Sequence, residues 1–231
     1  TETAVKQCEQ EDRRVRVDLE NGESLEADAA LLALGLQPNT EDLWAEELNI
    51  RTDDGGWIDV KEDYRTSLPD VYAIGDVIGP PWLAHVASHE GIKLVEGLYT
   101  EADVERTDEE DVPVCTYCQP QVARVGLTEE EAREKHDDVT IGKFPLRAIG
   151  RAVAVDATEG FVKLVFAGEY DELVGAHLLG HEVTELISEL NLAQQLEATP
   201  VEIADTIHPH PTFSESIMEA AHDALGHAIH K

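Results

Sequence analysis

Read as a pattern of apolar and polar positions, the chain divides into three stretches. In the first, Arg14-Val15-Arg16-Val17-Asp18-Leu19 alternates with period two, as a half-buried strand does. Asn21-Gly22 supplies a tight turn, and Ser24-Leu25-Glu26-Ala27 returns as the second arm of a hairpin. The short, continuously apolar run Leu31-Leu32-Ala33-Leu34-Gly35 predicts a buried strand of a parallel sheet, ended by Gln37-Pro38-Asn39. The second stretch, residues 40–110, predicts a turn at Asp53-Asp54-Gly55-Gly56 and a strand at Trp57-Ile58-Asp59-Val60. A further buried strand, Val71-Tyr72-Ala73-Ile74, stops at Gly75-Asp76. A helix is predicted over Ala84–Tyr99, with Val86, Ile92, Leu94, Val95 and Leu98 as its apolar positions. The acidic run Glu101–Asp111 has the composition of an exposed linker.

The third stretch, residues 111–231, reads as an α+β unit. Its strand candidates are Val114–Tyr117, Val122–Val125, Ile141–Leu146, Phe161–Phe166 and Leu173–Leu179. Thr128-Glu129-Glu130-Glu131 has capping-box spacing and opens a short helix. Val183–Glu197 is amphipathic, with Val183, Leu186, Ile187, Leu190 and Leu196 as its core face, and a last helix starts near Thr212. The expected class is α/β: an α+β unit preceded by segments of α/β character.

Charge bears on the surroundings of this fold. The 231 residues carry 49 Asp and Glu against 17 Lys and Arg, a formal charge of -32, with 42% hydrophobic residues. Such acidity combined with that apolar content predicts a folded protein with a strongly hydrated acidic surface, as in cells of high internal salt. A phosphate backbone would be repelled, which excludes nucleic acid as a partner. No run of about 18 apolar residues exists, so no membrane helix is expected. Thr1-Glu2-Thr3-Ala4 has no signal-peptide character and no methionine, and reads as a chain entered midway. Three cysteines do not make a disulfide framework, and the expected compartment is the cytoplasm.

The richest candidate chemistry is His208-Pro209-His210-Pro211-Thr212-Phe213-Ser214-Glu215. Pro211 biases His210 away from helical geometry, and Glu215 lies within reach of one ring nitrogen, leaving the other as a base of defined tautomer. An equally simple reading makes Thr212 and Glu215 a capping box and His210 a surface histidine. Cys115-Thr116-Tyr117-Cys118 has the spacing of a redox pair or half a zinc site, but Cys8 is the only other cysteine, and no metal site is expected. His177 and His222 read as packing or surface residues, and Ser88 beside His85 and His89 lacks a nucleophile-elbow context.

The motif His-x-His-Pro-Thr-x-Ser-Glu closely resembles the signature near the C-terminus of dihydrolipoamide dehydrogenases, among the flavoprotein disulfide reductases. Glutathione reductases share its His-Pro-Thr core, and His208 is similar to the lipoamide branch. Ala33-Leu34-Gly35-Leu36-Gln37-Pro38-Asn39-Thr40 resembles the segment leaving the family's NAD domain. Thr66-Ser67-Leu68-Pro69-Asp70-Val71-Tyr72-Ala73-Ile74-Gly75-Asp76 resembles its second flavin motif, and Leu83-Ala84-His85 the helix start facing the flavin ring. Gly142-Lys143-Phe144-Pro145, Arg151-Ala152, Gly175-Ala176-His177 and Ala228-Ile229-His230 are similar to its interface domain.

The resemblance implies that residues 1–39 belong to an NAD-binding domain, 40–110 to an FAD-binding domain and 111–231 to the dimerisation domain. It implies His210 as acid/base and Glu215 as its orienting partner, acting on the redox disulfide of the other subunit of a homodimer. Asp76 would bind the ribityl chain of FAD, Leu83, Ala84 and His85 would face its ring, and Gly35 would lie near NAD. Lipoyl groups of 2-oxoacid dehydrogenase complexes would be the partners. Leu36 stands where the family commonly has arginine, and Gln121 where it has glutamate. Neither a Gly-x-Gly-x-x-Gly fingerprint nor a Cys-x4-Cys pair is present, so both cofactor sites would be incomplete and the chain inactive alone. Two rival readings are a non-catalytic dimerisation module and a related reductase of the glutathione or mercuric type.

Overall fold

Alternation of apolar residues in the C-terminal half builds the principal sheet. The computed structural model describes residues 2–100 and 103–230. In the five-stranded antiparallel sheet, β4 (Val114–Thr116), β5 (Gln121–Gly126), β6 (Val139–Pro145), β7 (Phe161–Ala167) and β8 (Glu172–Gly180) take the order β4-β5-β8-β7-β6. Along β7, Val162, Leu164 and Phe166 turn to one face and are fully buried there. Val165 turns to the other, against Leu127 and Ala132. A bulge pairs Val165 with Gly175 but Phe166 with Leu173, skipping Val174. That shift lets Leu173 and Ala176 both enter the main core while Val174 packs on the opposite side.

Helices cover both faces. The first face takes α4 (Val183–Gln195) on β5 and β8, and α6 (Glu215–Ala224) on β6 and β7, with α5 (Pro200–Asp205) packed on α6. Val183, Ile187, Leu190, Ile203, Ile217, Ala220 and Phe213 join the strand residues in one core. Each large apolar side chain fully buried there contributes about 1.5–3 kcal/mol. On the other face lies α2 (Glu129–Lys135), opened by the predicted capping box between Thr128 and Glu131. The short α3 (Gly150–Ala154) follows β6. Gly142 decides how closely α6 approaches: a Cβ there would lie 2.0 Å from the Ala220 carbonyl oxygen. Lys143 N donates to Asp223 Oδ2 at 2.9 Å, bonding β6 to the far end of the same helix.

The N-terminal stretch forms a three-stranded antiparallel sheet of β1 (Val5–Glu11), β2 (Arg14–Leu19) and β3 (Ser24–Ala27). The predicted hairpin of β2 and β3 is present, and β1 adds an outer strand whose seven residues are all exposed. Leu31-Leu32-Ala33-Leu34-Gly35 does not form the predicted buried strand. Leu31, Leu32 and Leu34 are 91%, 76% and 92% exposed, because no described strand flanks the run and no helix covers it.

Residues 40–100 gather around a small core of Ile58, Tyr64, Ile78 and Leu94. The predicted turn at Asp53 forms, its carboxylate accepting from the Gly55 and Trp57 amides. The two predicted strands shrink to single bridges, Thr52 to Ile58 and Arg65 to Tyr72. Helix α1 (Ala84–Tyr99) has the predicted bounds. Only Val86, Glu90 and Leu94 of its residues are buried, while Ile92, Val95 and Leu98 are exposed. Its second apolar stripe meets no layer among the described residues, and Leu196, expected in the core, is likewise exposed at the end of α4. In the predicted acidic linker, Glu101 and Ala102 lie outside the described residues, and Glu109–Asp111 forms a 3₁₀ turn.

Candidate active-site histidine and flavin-side loop

Between α5 and α6 the chain runs through His208-Pro209-His210-Pro211, where both prolines bar helix and hold φ near one value. Thr212 Oγ1 donates to the Pro209 carbonyl at 2.6 Å, closing the loop just before α6. Glu215 is the first residue of α6, and its two oxygens serve different partners. Oε1 meets His210 Nδ1 at 2.8 Å, and Oε2 accepts from the Thr212 amide at 2.9 Å. The helix-end role and the histidine-orienting role, alternatives in the sequence, coexist here. A carboxylate only accepts, so Nδ1 carries the hydrogen and Nε2 is the basic nitrogen. The ring is 76% exposed while the Glu215 side chain is 19% exposed, which presents Nε2 outward from a fixed base. Burial alone would raise the Glu215 carboxyl, but the Thr212 amide and His210 outweigh it and hold it below the usual carboxylate range.

A second His–Glu pair lies beside the first. His208, only 3% exposed at its side chain, meets Thr206 O through Nδ1 at 2.8 Å and Glu189 Oε1 on α4 through Nε2 at 2.7 Å. The Glu189 hydrogen bond raises the His208 pKa above its ordinary 6.5, against the opposing effect of burial, with Thr206 adding to the rise. A raised folded-state pKa gives stability that is whole below pH 6.5 and is lost as pH climbs through the folded value. Urea unfolding at stepped pH above 6.5 should therefore show falling stability, and Glu189→Gln should flatten that fall. An equal slope in both proteins would remove His208 as its source. A third pair closes the tail: Glu219, 1% exposed at its side chain, takes His230 Nδ1 on Oε1 and the Ile229 and His230 amides on Oε2.

In the segment expected to face the flavin, Gly75 has φ of 72°, and a Cβ there would meet Ala87 Cβ at 2.9 Å. The space beside it is taken by α1. Its amide donates to Glu90 Oε2 at 2.7 Å. Asp76, the next residue, is exposed within the 3₁₀ turn Gly75–Ile78. Leu83 is the half-buried N-cap of α1 and gives no side-chain cap, so the exposed Ala84 and His85 begin the helix with open amide donors. The His85 ring itself is engaged elsewhere, with Nε2 2.9 Å from the Pro113 carbonyl. Gly35 is not brought into this group: it lies in exposed coil with open space around it.

Residues 112–221 match the dimerisation domain of the pyridine nucleotide-disulphide oxidoreductases, and residues 1–91 match the pyridine nucleotide-disulphide oxidoreductase family itself. The chain belongs to this family. Within the family, a dihydrolipoyl dehydrogenase of Bacillus subtilis is 48% identical over 204 residues, covering 88% of this chain and 43% of the relative. One from Rhizobium etli is 46% identical over 208 residues, covering 90% and 43%. Among solved structures, LpdA of Mycobacterium tuberculosis is 27% identical with a TM-score of 0.85, covering 96% of this chain and 48% of that one. The HOCl-induced flavoprotein disulfide reductase RclA of Escherichia coli gives 28% and 0.85, covering 93% and 49%. The chain thus spans about half the length of the family members it matches.

Two hydrogen-bond partners of this region, Glu90 and Glu189, were not singled out in the sequence. Glu90 could have been noticed as an acid at the centre of the Val86–Leu94 stripe of an otherwise apolar helix face. Glu189 carries no such signal, since it shares α4 with a second acid, Glu185. Of the cysteines, all free, Cys115 has its thiol pushed up by burial, only partly offset by Tyr117, which disfavours the reactive thiolate. Cys118 donates to Pro120 O at 3.0 Å. Gln121, in the place of the family glutamate, accepts from the Thr184 amide and hydroxyl at 3.4 and 3.0 Å. Among the described residues, no group of three or more His, Cys, Asp or Glu is placed to hold a metal, and no helix is long and apolar enough to cross a membrane.

Proposed function

We propose that this chain supplies the dimerisation domain and the acid–base pair of an FAD-dependent dihydrolipoamide:NAD oxidoreductase. The observation that carries the reading is the divided Glu215 carboxylate, which fixes the His210 tautomer and leaves Nε2 exposed. In this role Nε2 takes the proton of a dihydrolipoamide thiol, freeing the thiolate to attack a disulfide of the partner subunit. Glu215 then faces an imidazolium and stabilises it. The proton passes from Nε2 to the thiolate released when the disulfide opens.

Residues 1–39, 40–110 and 111–231 would be parts of the NAD-binding, FAD-binding and dimerisation domains. The exposed Asp76 carboxylate fits a ribityl hydroxyl, and the open amides of Ala84 and His85 fit an electron-rich ring edge. FAD, when bound, supplies the two-electron carrier between disulfide and NAD. Glu90 holds the Asp76 turn against α1 through the Gly75 amide. The reading further assigns a homodimer, lipoyl-bearing 2-oxoacid dehydrogenase complexes as partners, and a cytoplasmic setting. The formal charge of -32 suits high internal salt, where screening relieves repulsion among carboxylates.

The test is Glu215→Gln in a full-length reductase carrying this sequence. An amide puts its oxygen at only one of the two positions that Oε1 and Oε2 now hold, so the His210 and Thr212 bonds cannot both be kept in place. Losing one charge-assisted bond of about 1.5–3 kcal/mol should lower turnover about 10- to 100-fold. Turnover equal to the parent would return Glu215 to helix capping alone.

A further inference from the structure

His210 is 76% exposed and makes a single hydrogen bond, so little of its placement comes from contacts of its own ring. Its position is set by what flanks it. On the C-terminal side stand the Thr212 hydroxyl on Pro209 O and the Glu215 carboxylate. On the N-terminal side stands His208, whose side chain is 3% exposed and whose two nitrogens lie 2.8 Å from Thr206 O and 2.7 Å from Glu189 Oε1.

We propose that His208 is a positioning residue for His210: its ring, donating to Thr206 and Glu189, clamps the His208–Pro209–His210 segment between α5 and α4. The proposal rests on the reading of His210 as the acid–base group and adds what holds that group in place. A carbonyl and a carboxylate both only accept, so the two contacts require a hydrogen on each ring nitrogen. The ring is therefore an imidazolium, which agrees with its raised pKa. The charged groups that face it are Glu189 from α4 and, at longer range, Glu215 from α6. A neutral histidine would satisfy only one acceptor, and an apolar side chain neither.

The clamp reaches His210 because the segment between them is stiff. Pro209 and Pro211 each lock one φ, so few soft torsions separate His208 from Thr212. With both ends held, the His210 ring has little room to drift. A displacement near 1 Å at a reacting group can cost about 100-fold in rate.

The experiment has one arm in this chain and one in a full-length reductase carrying it. In this chain, nitrogen NMR at neutral pH should find both His208 ring nitrogens protonated. His208→Phe, which fills the space without donors, should speed exchange of the Thr212 amide at least about tenfold, the effect of about 1.4 kcal/mol. His208→Gln, which keeps one donor toward Glu189, should restore part of that protection. In the full-length reductase, His208→Phe should lower kcat about 10- to 100-fold with KM for dihydrolipoamide unchanged, and Gln should again recover part. Should His208→Phe fail to fold, Glu189→Leu, which removes the acceptor on α4 with His208 in place, gives the exchange and kcat readouts. A single protonated nitrogen, unchanged Thr212 exchange, or unchanged kcat with His210 still essential would overturn the clamp. Full turnover in His210→Gln would instead overturn the acid–base reading, while the ring and exchange results stood.

Discussion

Replacing His210 by glutamine in a full-length reductase carrying this sequence is expected to lower dihydrolipoamide turnover about 100- to 10,000-fold, the range lost with a general acid–base group. Glutamine retains an amide donor for Glu215 Oε1, so the loop keeps its internal bond while losing the basic nitrogen. The ring is 76% exposed, so little packing is removed. Stability should stay within about 0.5 kcal/mol of the parent, as for other surface substitutions. The pairing of a large kinetic loss with an intact fold distinguishes chemistry from structure. Steady-state turnover beside a thermal melt gives both numbers, and turnover within a factor of a few of the parent would end the acid–base assignment.

The second large effect should come from a position with no chemistry at all. Gly142→Val would place a Cβ 2.0 Å from the Ala220 carbonyl oxygen. Backbone cannot yield there without moving α6 away from β6. Overpacking of this kind costs about 1–3 kcal/mol, and more where backbone is the obstacle. At about 2–4 °C per kcal/mol for a chain of this size, Tm should fall by about 5–10 °C. Because α6 begins at Glu215, the same shift should disturb the His210–Glu215 bond. A melt of this chain checks the stability, and the His210 ring resonances check the site. An unchanged Tm would show that α6 slides freely over the sheet.

What could be read from the sequence follows the sources of its signals. Strand β5 alternates because one face is buried, β7 and β8 are richer in apolar residues because both faces are covered, and the bounds of all three were legible to within a residue or two. Strand β1, exposed at every residue, has no buried face and left no pattern. Helix α5 was missed although Thr199, Pro200 and Glu202 form a capping box with proline in the first turn, a signal in local chemistry rather than periodicity. The apolar run at Leu31–Gly35 misled for the opposite reason: its pattern is that of a strand buried between layers, and those layers are not among the described residues.

At the site, spacing made His210 and Glu215 visible because they lie five residues apart across a proline. It could not show that one carboxylate serves both loop and ring. The His208–Glu189 contact spans nineteen residues and depends on how α4 lies against the loop, which only the packed sheet determines. Likewise, nothing in the spacing of Gly75 tells that the helix at Ala87 fills the space beside it.

Helix α6 holds one carboxylate at Glu215 for the loop before it and another at Glu219, one turn on, for the tail after it. Anything joined beyond His230 would hang from a residue bonded to Glu219, and its motion would pull on the platform that carries Glu215. Affinity handles and fluorescent labels for kinetic work therefore disturb this carboxylate least when they are kept away from the residues that follow α6.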